Sequence, residues 1–150
     1  MNTKEQINTL KNSPAERRVI LSILMTANQL NDEIAETLKP FNLSIPQFNV
    51  LRILRGQKGK PANLSTVQDR MVSKMSNTTR LVDKLITKGL AERITCEKNR
   101  RKVEITITEK GLNLLEELDP VIQKSEKEST KNLNSSEIDT LTTLLEKLRK

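Results

Sequence analysis

Between Ser73 and Thr108 the chain runs SKMSNTTRLVDKLITKGLAERITCEKNRRKVEITIT, and no other stretch restricts the fold as tightly. On a helical wheel from about Lys74 to Lys88, Thr78, Leu81, Val82, Leu85 and Ile86 fall on one side, while Ser73, Asn77, Arg80, Lys84 and Lys88 fall opposite. The spacing predicts a helix with one packing face and one polar, cationic face, stopped at Gly89. Beyond it, Ile94 and Cys96 alternate with Arg93 and Thr95, and Val103, Ile105 and Ile107 alternate with Glu104, Thr106 and Thr108. Period-two alternation of this kind predicts two half-buried strands, joined here by the basic turn Glu97-Lys98-Asn99-Arg100-Arg101-Lys102.

A shorter helix is expected just ahead of this stretch. Ser65-Thr66-Val67-Gln68 has Ser and Gln at capping-box spacing and opens a helix ending near Met71 or Val72. Two helices a few residues apart, the second with a cationic face, form a helix-turn-helix whose second helix fits a major groove. A generic helical hairpin is the competing account, because the usual glycine of the tight turn is absent and Val72 stands near its place. The strand pair then acts as a wing, whose arginine-bearing tip suits the negative potential of a narrow minor groove; the alternative is a basic hairpin exposed only for solubility.

Charge favours the polyanion account once it is located. From Gln57 to Gly111 there are thirteen cations and six acids, which carries the whole net charge of +7; the rest of the chain has thirteen of each. A surface that is lysine-rich only for solubility would spread its charge more evenly. Composition removes other classes. With no His and one Cys, there is no disulfide framework, no ordinary zinc site and no His-based triad, so an enzyme is not expected and neither is a cofactor. Cys96, on the apolar side of its strand, is expected to be a buried structural thiol. Binders of single strands and RNA stack bases on aromatic side chains, but only Phe41 and Phe48 are available and both lie outside the basic segment. No apolar run approaches a membrane span and MNTKEQINTL has no signal-peptide core, so a cytoplasmic protein is expected.

The remaining segments supply helices. At 150 residues one domain is expected. Residues 1–14 are polar and suggest a loose or short helical arm, ending at a helix start at Ser13-Pro14. Val19, Ile20, Ile23, Leu24, Ala27, Leu30, Ile34 and Leu38 recur at steps of three and four, defining an amphipathic helix from Ala15 to Leu38 stopped before Pro40. Ser44-Ile45-Pro46-Gln47 opens a second helix that Gly56 ends, and a turn-like stretch follows from Gln57 to Asn63. Thr108 caps a helix carrying Leu112, Leu114, Leu115, Leu118, Val121 and Ile122, with Pro120 placed to bend it; residues 123–132 either continue it or fray. Asn134-Ser135-Ser136-Glu137 opens a last helix whose stripe, Ile138, Leu141, Leu145 and Leu148, needs a partner, either the first helix of the same chain or another molecule.

Taken together, Ser76-Asn77-Thr78-Thr79-Arg80-Leu81-Val82-Asp83-Lys84-Leu85, then Lys88-Gly89-Leu90, and Asn99-Arg100-Arg101 leading through Val103, Ile105 and Thr108 to Gly111, resemble the MarR family of bacterial transcription regulators. The resemblance spans about Arg17 to Leu148, with Asn99 where the family usually has Asp. It implies a mainly α fold with a small β-wing: a winged helix-turn-helix lobe at 44–111 between dimerisation helices at 15–38 and 112–150, with Ile138, Leu141, Leu145 and Leu148 in the homodimer contact. It also implies a ligand-responsive repressor of double-stranded DNA, binding a pseudo-palindrome as a dimer, with a small-molecule effector whose pocket no residue spacing identifies. Arg17, Asn28 and Phe48 are conceivable lining that nothing singles out. The expected DNA contacts are Lys74, Ser76, Asn77, Thr79 and Arg80 on the first turns of the recognition helix, with Lys84, Lys98, Arg100 and Arg101. Arg80 suits guanine and Asn77 adenine, whereas Lys84, Lys98 and Arg101 suit phosphate. The rival function is a helical protein-interaction module whose basic face is merely solvated.

Overall fold

The computed structural model describes residues 5, 8, 10–74, 77–96 and 98–150, the side chains of 96 and 99–101 excepted. In the N-terminal arm, Glu5, Asn8, Leu10 and Lys11 are helical. Helix α1 (Ala15–Leu38) follows Pro14. The α-helix ends before Pro40 as expected, and Lys39–Phe41 adds a separate 3-10 turn, which tolerates Pro40 near its start because no helical acceptor awaits a proline N–H there. Asn42, at φ 54°, ends it in the left-handed region.

Helix α2 (Ile45–Gly56) is opened by the expected capping box, in which the Gln47 N–H donates to Ser44 Oγ and the Ser44 N–H donates to Gln47 Oε1, each at 3.2 Å. The turn-like stretch after it ends in a strand, β1 (Ala62–Asn63), too short to show any periodicity. Helix α3 (Leu64–Arg70) is capped by Asn63 rather than Ser65: Asn63 Oδ1 accepts the Thr66 N–H at 2.8 Å, and Ser65 sits inside the first turn donating its hydroxyl to the same oxygen.

Helix α4 spans Thr78–Thr87, four residues shorter at its start than periodicity predicted. Strands β2 (Ala91–Cys96) and β3 (Asn99–Ile107) form an antiparallel hairpin with a register shift between Thr95 and Cys96. The expected six-residue basic turn is therefore mostly strand: Asn99 pairs with Cys96 and Val103 with Thr95, and residues 100–102 form the irregular stretch between those two pairs. β1 pairs with the other edge of β3, giving the order β1-β3-β2.

Thr108 caps helix α5 (Glu109–Ser129), its Oγ1 accepting the Gly111 N–H. α5 runs through Pro120 and most of the charged stretch beyond without interruption. Asn134 and Glu137 form a second capping box at helix α6 (Ser135–Arg149).

One core joins the elements that surround α4. Leu38, Leu51, Leu85, Ile105, Leu115 and Leu118 are fully buried, drawn from α1, α2, α4, β3 and α5. Along the rest of α1 and all of α6 no side chain is buried; Ile20, Leu24, Leu144 and Leu148 are each more than half exposed. The α6 stripe is not covered by α1 of the same chain. What ties α1 to α5 is partly polar: the Thr37 hydroxyl donates to Ser125, and the Ser129 hydroxyl donates to Glu33. The Ser129 hydrogen bond, followed by one from Gln29, holds the Glu33 carboxyl below its ordinary pKa.

Candidate nucleic-acid interface

Asn77 starts α4 by accepting the Arg80 N–H on Oδ1 at 3.1 Å, which leaves its amide NH2 as the free donor. Thr78, Val82 and Leu85 turn into the core, with Leu81 and Ile86 half-buried beside them, so the predicted packing face is confirmed. Thr79, Arg80, Asp83, Lys84 and Thr87 are exposed on the opposite side. Lys74 does not belong to this helix: it lies in the connection before Asn77, because a stretch that is polar but for Met75 offers no apolar period to mark where the helix begins. Ser76 lies outside the described residues.

That connection explains the missing glycine. Seven residues, from Met71 to Asn77, separate α3 from α4, so the chain turns gradually. Among the described residues it needs no positive φ. Met71 is buried at its start. Gln68 secures the rest: its Nε2 donates to the Lys74 carbonyl at 2.7 Å, and its Oε1 accepts the Thr78 hydroxyl. One half-buried side chain thus ties the first helix, the turn and the second helix together.

The far end of α4 is closed as tightly. Gly89 takes φ 75°, its N–H donates to the Ile86 carbonyl and the Leu90 N–H to the Leu85 carbonyl, both at 2.9 Å. This double bond is a Schellman motif, with buried Leu85 and Leu90 providing the accompanying apolar contact. α5 fastens to the same turn: Thr108 Oγ1 donates to the Gly89 carbonyl and Lys110 Nζ to the Lys88 carbonyl. Lys88, predicted on the polar face, turns back to donate to Asn42 and to Gln47 Oε1, satisfying a glutamine that is almost fully buried. It is a strut between α2 and α4 and does not face outward.

The wing is tied to α4 by an ion pair, Arg93 Nη2 to Asp83 Oδ1 at 2.6 Å, about half exposed at both ends. The sequence marked neither residue. Asp83, the one acid on the outward face of α4, is thereby neutralised. Lys74, Arg80, Lys84 and Lys98 are exposed, and among the described residues none of them is in an ion pair. The backbone of Arg100 and Arg101 opens β3; their side chains, and that of Cys96, lie outside the described residues. Ile94, expected on a covered face, is 39% exposed, because the hairpin projects past the core there and pairs Ile94 with Glu104.

Such a surface presents fixed cations on a helix and a hairpin, with Asn, Thr and Arg at the helix start where base edges would lie. Among the described residues no group of Asp, Glu or Cys is placed to hold a metal ion. Residues 43–103 match the sequence model of the MarR family. Over 130 residues the chain is 30% identical to the multiple antibiotic resistance protein MarR of Escherichia coli (strain K12), an alignment covering 84% of this chain and 88% of that protein. The chain belongs to the MarR family. It is also 28% identical over 109 residues to the HTH-type transcriptional repressor IacR of Pseudomonas putida, covering 73% of this chain and 64% of the other. Its backbone superposes on the crystal structure of a cysteine-to-serine mutant of E. coli MarR complexed with operator DNA with a TM-score of 0.79, at 26% identity, over 91% of this chain and 99% of that one. The mainly helical winged helix-turn-helix fold expected for the family is the fold observed.

Three clefts flank α5, the smallest, of about 470 Å³, lying between it and α2. Of the larger two, one, of about 820 Å³, lies where α5 meets the end of α4 and includes Phe41, Thr87, Lys88, Leu90, Lys110 and Leu114. The other, of about 940 Å³, lies between α1 and the C-terminal half of α5. Phe41 borders these two, and Phe48, largely buried in the core, borders the smallest cleft; neither Arg17 nor Asn28 lines any of the three.

Proposed function

We propose that this chain is a transcriptional repressor that binds double-stranded DNA of defined sequence as a homodimer and releases it in response to a small molecule. The observation that carries the reading is the outward face of α4, where Arg80 and Lys84 stand free of ion pairs among the described residues while Asp83 is neutralised by Arg93 from the wing. A solvated basic face would gain nothing from that arrangement, but a groove-reading one removes its only acid from the path of the phosphates. Arg80 and the Asn77 amide read bases; Lys74, Lys84 and Lys98 engage phosphates, and Thr79 lies beside Arg80 for either. Arg100 and Arg101, at the start of β3, place two more cations at the wing.

The homodimer reading rests on α6 and the first half of α1, none of whose apolar side chains is buried by another element among the described residues. Covering Leu141 and Leu148, with the less exposed Ile138 and Leu145, against a second copy would set two recognition helices about 34 Å apart, matching half-sites one turn apart. The two larger clefts beside α5 have the size of small-molecule sites and border the joint that orients α4, which is where an effector would act. Under this reading the protein has no catalytic role and works in the cytoplasm, where its DNA is. No helix of the described residues is long and apolar enough to cross a membrane.

The test is selection of bound duplexes from a random pool at near-physiological salt, with the protein's mass measured in solution. An enriched inverted repeat with half-sites about ten base pairs apart, bound by a dimer, is the expected result. A monomer that enriches nothing would leave the interaction-module account standing.

A further inference from the structure

Val72 is 87% exposed, far beyond any other exposed large hydrophobic side chain of the described residues, which range from 36% to 59%. Those others sit on α1, α5 and α6 or in the α5–α6 connection, where a second copy would cover them, with Ile94 of the wing as the exception. Val72 lies on neither surface. It stands in the connection between the two helices of the helix-turn-helix, flanked by the exposed cations Arg70 and Lys74, neither of them in an ion pair among the described residues.

The segment that carries it is held rather than loose. Met71 is buried on one side of Val72, and on the other the Lys74 carbonyl is pinned by Gln68, which also accepts the hydroxyl of Thr78 at the start of α4. A valine so placed cannot fold back into the core while Met71 occupies it. Its branched side chain has few rotamers to lose on contact. The surrounding charge selects a polyanion as the occupant, and the apolar group that a polyanionic duplex displays in its major groove is the thymine C5-methyl.

We propose that Val72 is a specificity-determining residue that contacts a thymine methyl next to the bases read by α4. The proposal rests on the DNA-binding reading above. It adds a recognition element that carries no charge and makes no hydrogen bond, so it contributes to choice of sequence without contributing to general affinity.

The experiment uses the full-length protein and the operator obtained by selection, with each thymine replaced in turn by deoxyuracil, which removes only the methyl group. Wild-type protein should lose about fourfold in affinity at one thymine of each half-site, the worth of one buried methyl. Val72→Ala should bind the unmodified operator more weakly by a similar factor and be indifferent to deoxyuracil at that same position. Its melting temperature, its dimer mass and its affinity for random DNA should match wild type. Full sensitivity of Val72→Ala to the same deoxyuracil, or wild-type indifference to every replacement, would overturn the proposal. A change in oligomeric mass on substitution would also overturn it, by placing Val72 in a protein contact. A wild-type protein that selects no operator would overturn the DNA-binding reading itself, an outcome separate from these.

Discussion

Gly111 joins the two halves of the molecule, and its replacement by alanine has a sign that local propensity and packing dispute. Glycine in a helix is ordinarily a weakness, and alanine should gain about 1 kcal/mol. Here an added Cβ would lie 2.4 Å from the Leu90 carbonyl oxygen and 2.7 Å from Ile107 Cγ1. The carbonyl cannot turn aside cheaply, because it accepts the Thr108 N–H at 3.1 Å and Leu90 is fixed by the Schellman turn at the end of α4. Ile107 is the last residue of β3, held in register against Ala91. Overpacking of this severity costs about 3 kcal/mol, so the net loss is about 2 kcal/mol. In a chain of 150 residues that corresponds to a melting point lower by about 4–8 °C, measured at equal protein concentration since association would shift it. A melting temperature that stayed put or rose would show that α5 can slide away from Leu90 without penalty, and would refute a rigid joint between α5 and the recognition helix.

Other outcomes follow from the interface. Arg80→Ala should reduce the ratio of operator to random-DNA affinity by a factor reflecting ~1–3 kcal/mol, while Lys84→Ala should weaken both alike and flatten the log-affinity against log-salt slope by roughly 0.9; competition binding at several salt concentrations separates them. A double-mutant cycle of Asp83→Asn and Arg93→Gln should give a coupling in thermal stability of only about 0.2–1 kcal/mol, shrinking in high salt, because the pair is half exposed. A larger coupling in operator affinity than in stability would identify the pair as a positioning device for the wing. Glu33 titrates below its ordinary value, so the stability it contributes is complete above the unfolded pKa and disappears as pH falls through the folded one. In Ser129→Ala its carboxyl resonance should titrate closer to the ordinary range; an unchanged titration would exclude the hydrogen bond as the main cause.

Most of the local capping signals in the sequence were legible. Ser44, Thr108 and Asn134 each cap the helix expected of them, since a capping side chain needs only the backbone three residues ahead. Ser65 misled for the same reason: it stands three residues before Gln68, but Asn63 stands three before Thr66 and a strand delivers it in extended geometry. Gln68 was then free for the longer-range task of holding the turn, which nothing nearby in sequence could disclose. The start of α4 was illegible because its first residues are polar, and the true start of β3 because a register shift against β2, set by one pair at Asn99, has no local side-chain pattern. Of the candidate contacts, Thr79, Arg80 and Lys84 share the outward face as expected; Lys88 was placed on the same face by periodicity and yet points inward, toward Gln47. Only the fold reveals a buried acceptor that draws a lysine away from solvent.

Helix α5 is continuous through its 21 residues, about 31 Å along its axis, with one end locked to the turn that closes α4 and the other bonded to α1. Its length is therefore a ruler and its helical phase an angle setting. Inserting one residue mid-helix would lengthen it by only about 1.5 Å but rotate everything beyond by about 100°, so the spacing and twist of the DNA this protein prefers should be heritable in α5, far from any base. Relatives that keep the same recognition helix could thus diverge in their targets by changing a segment that never touches them.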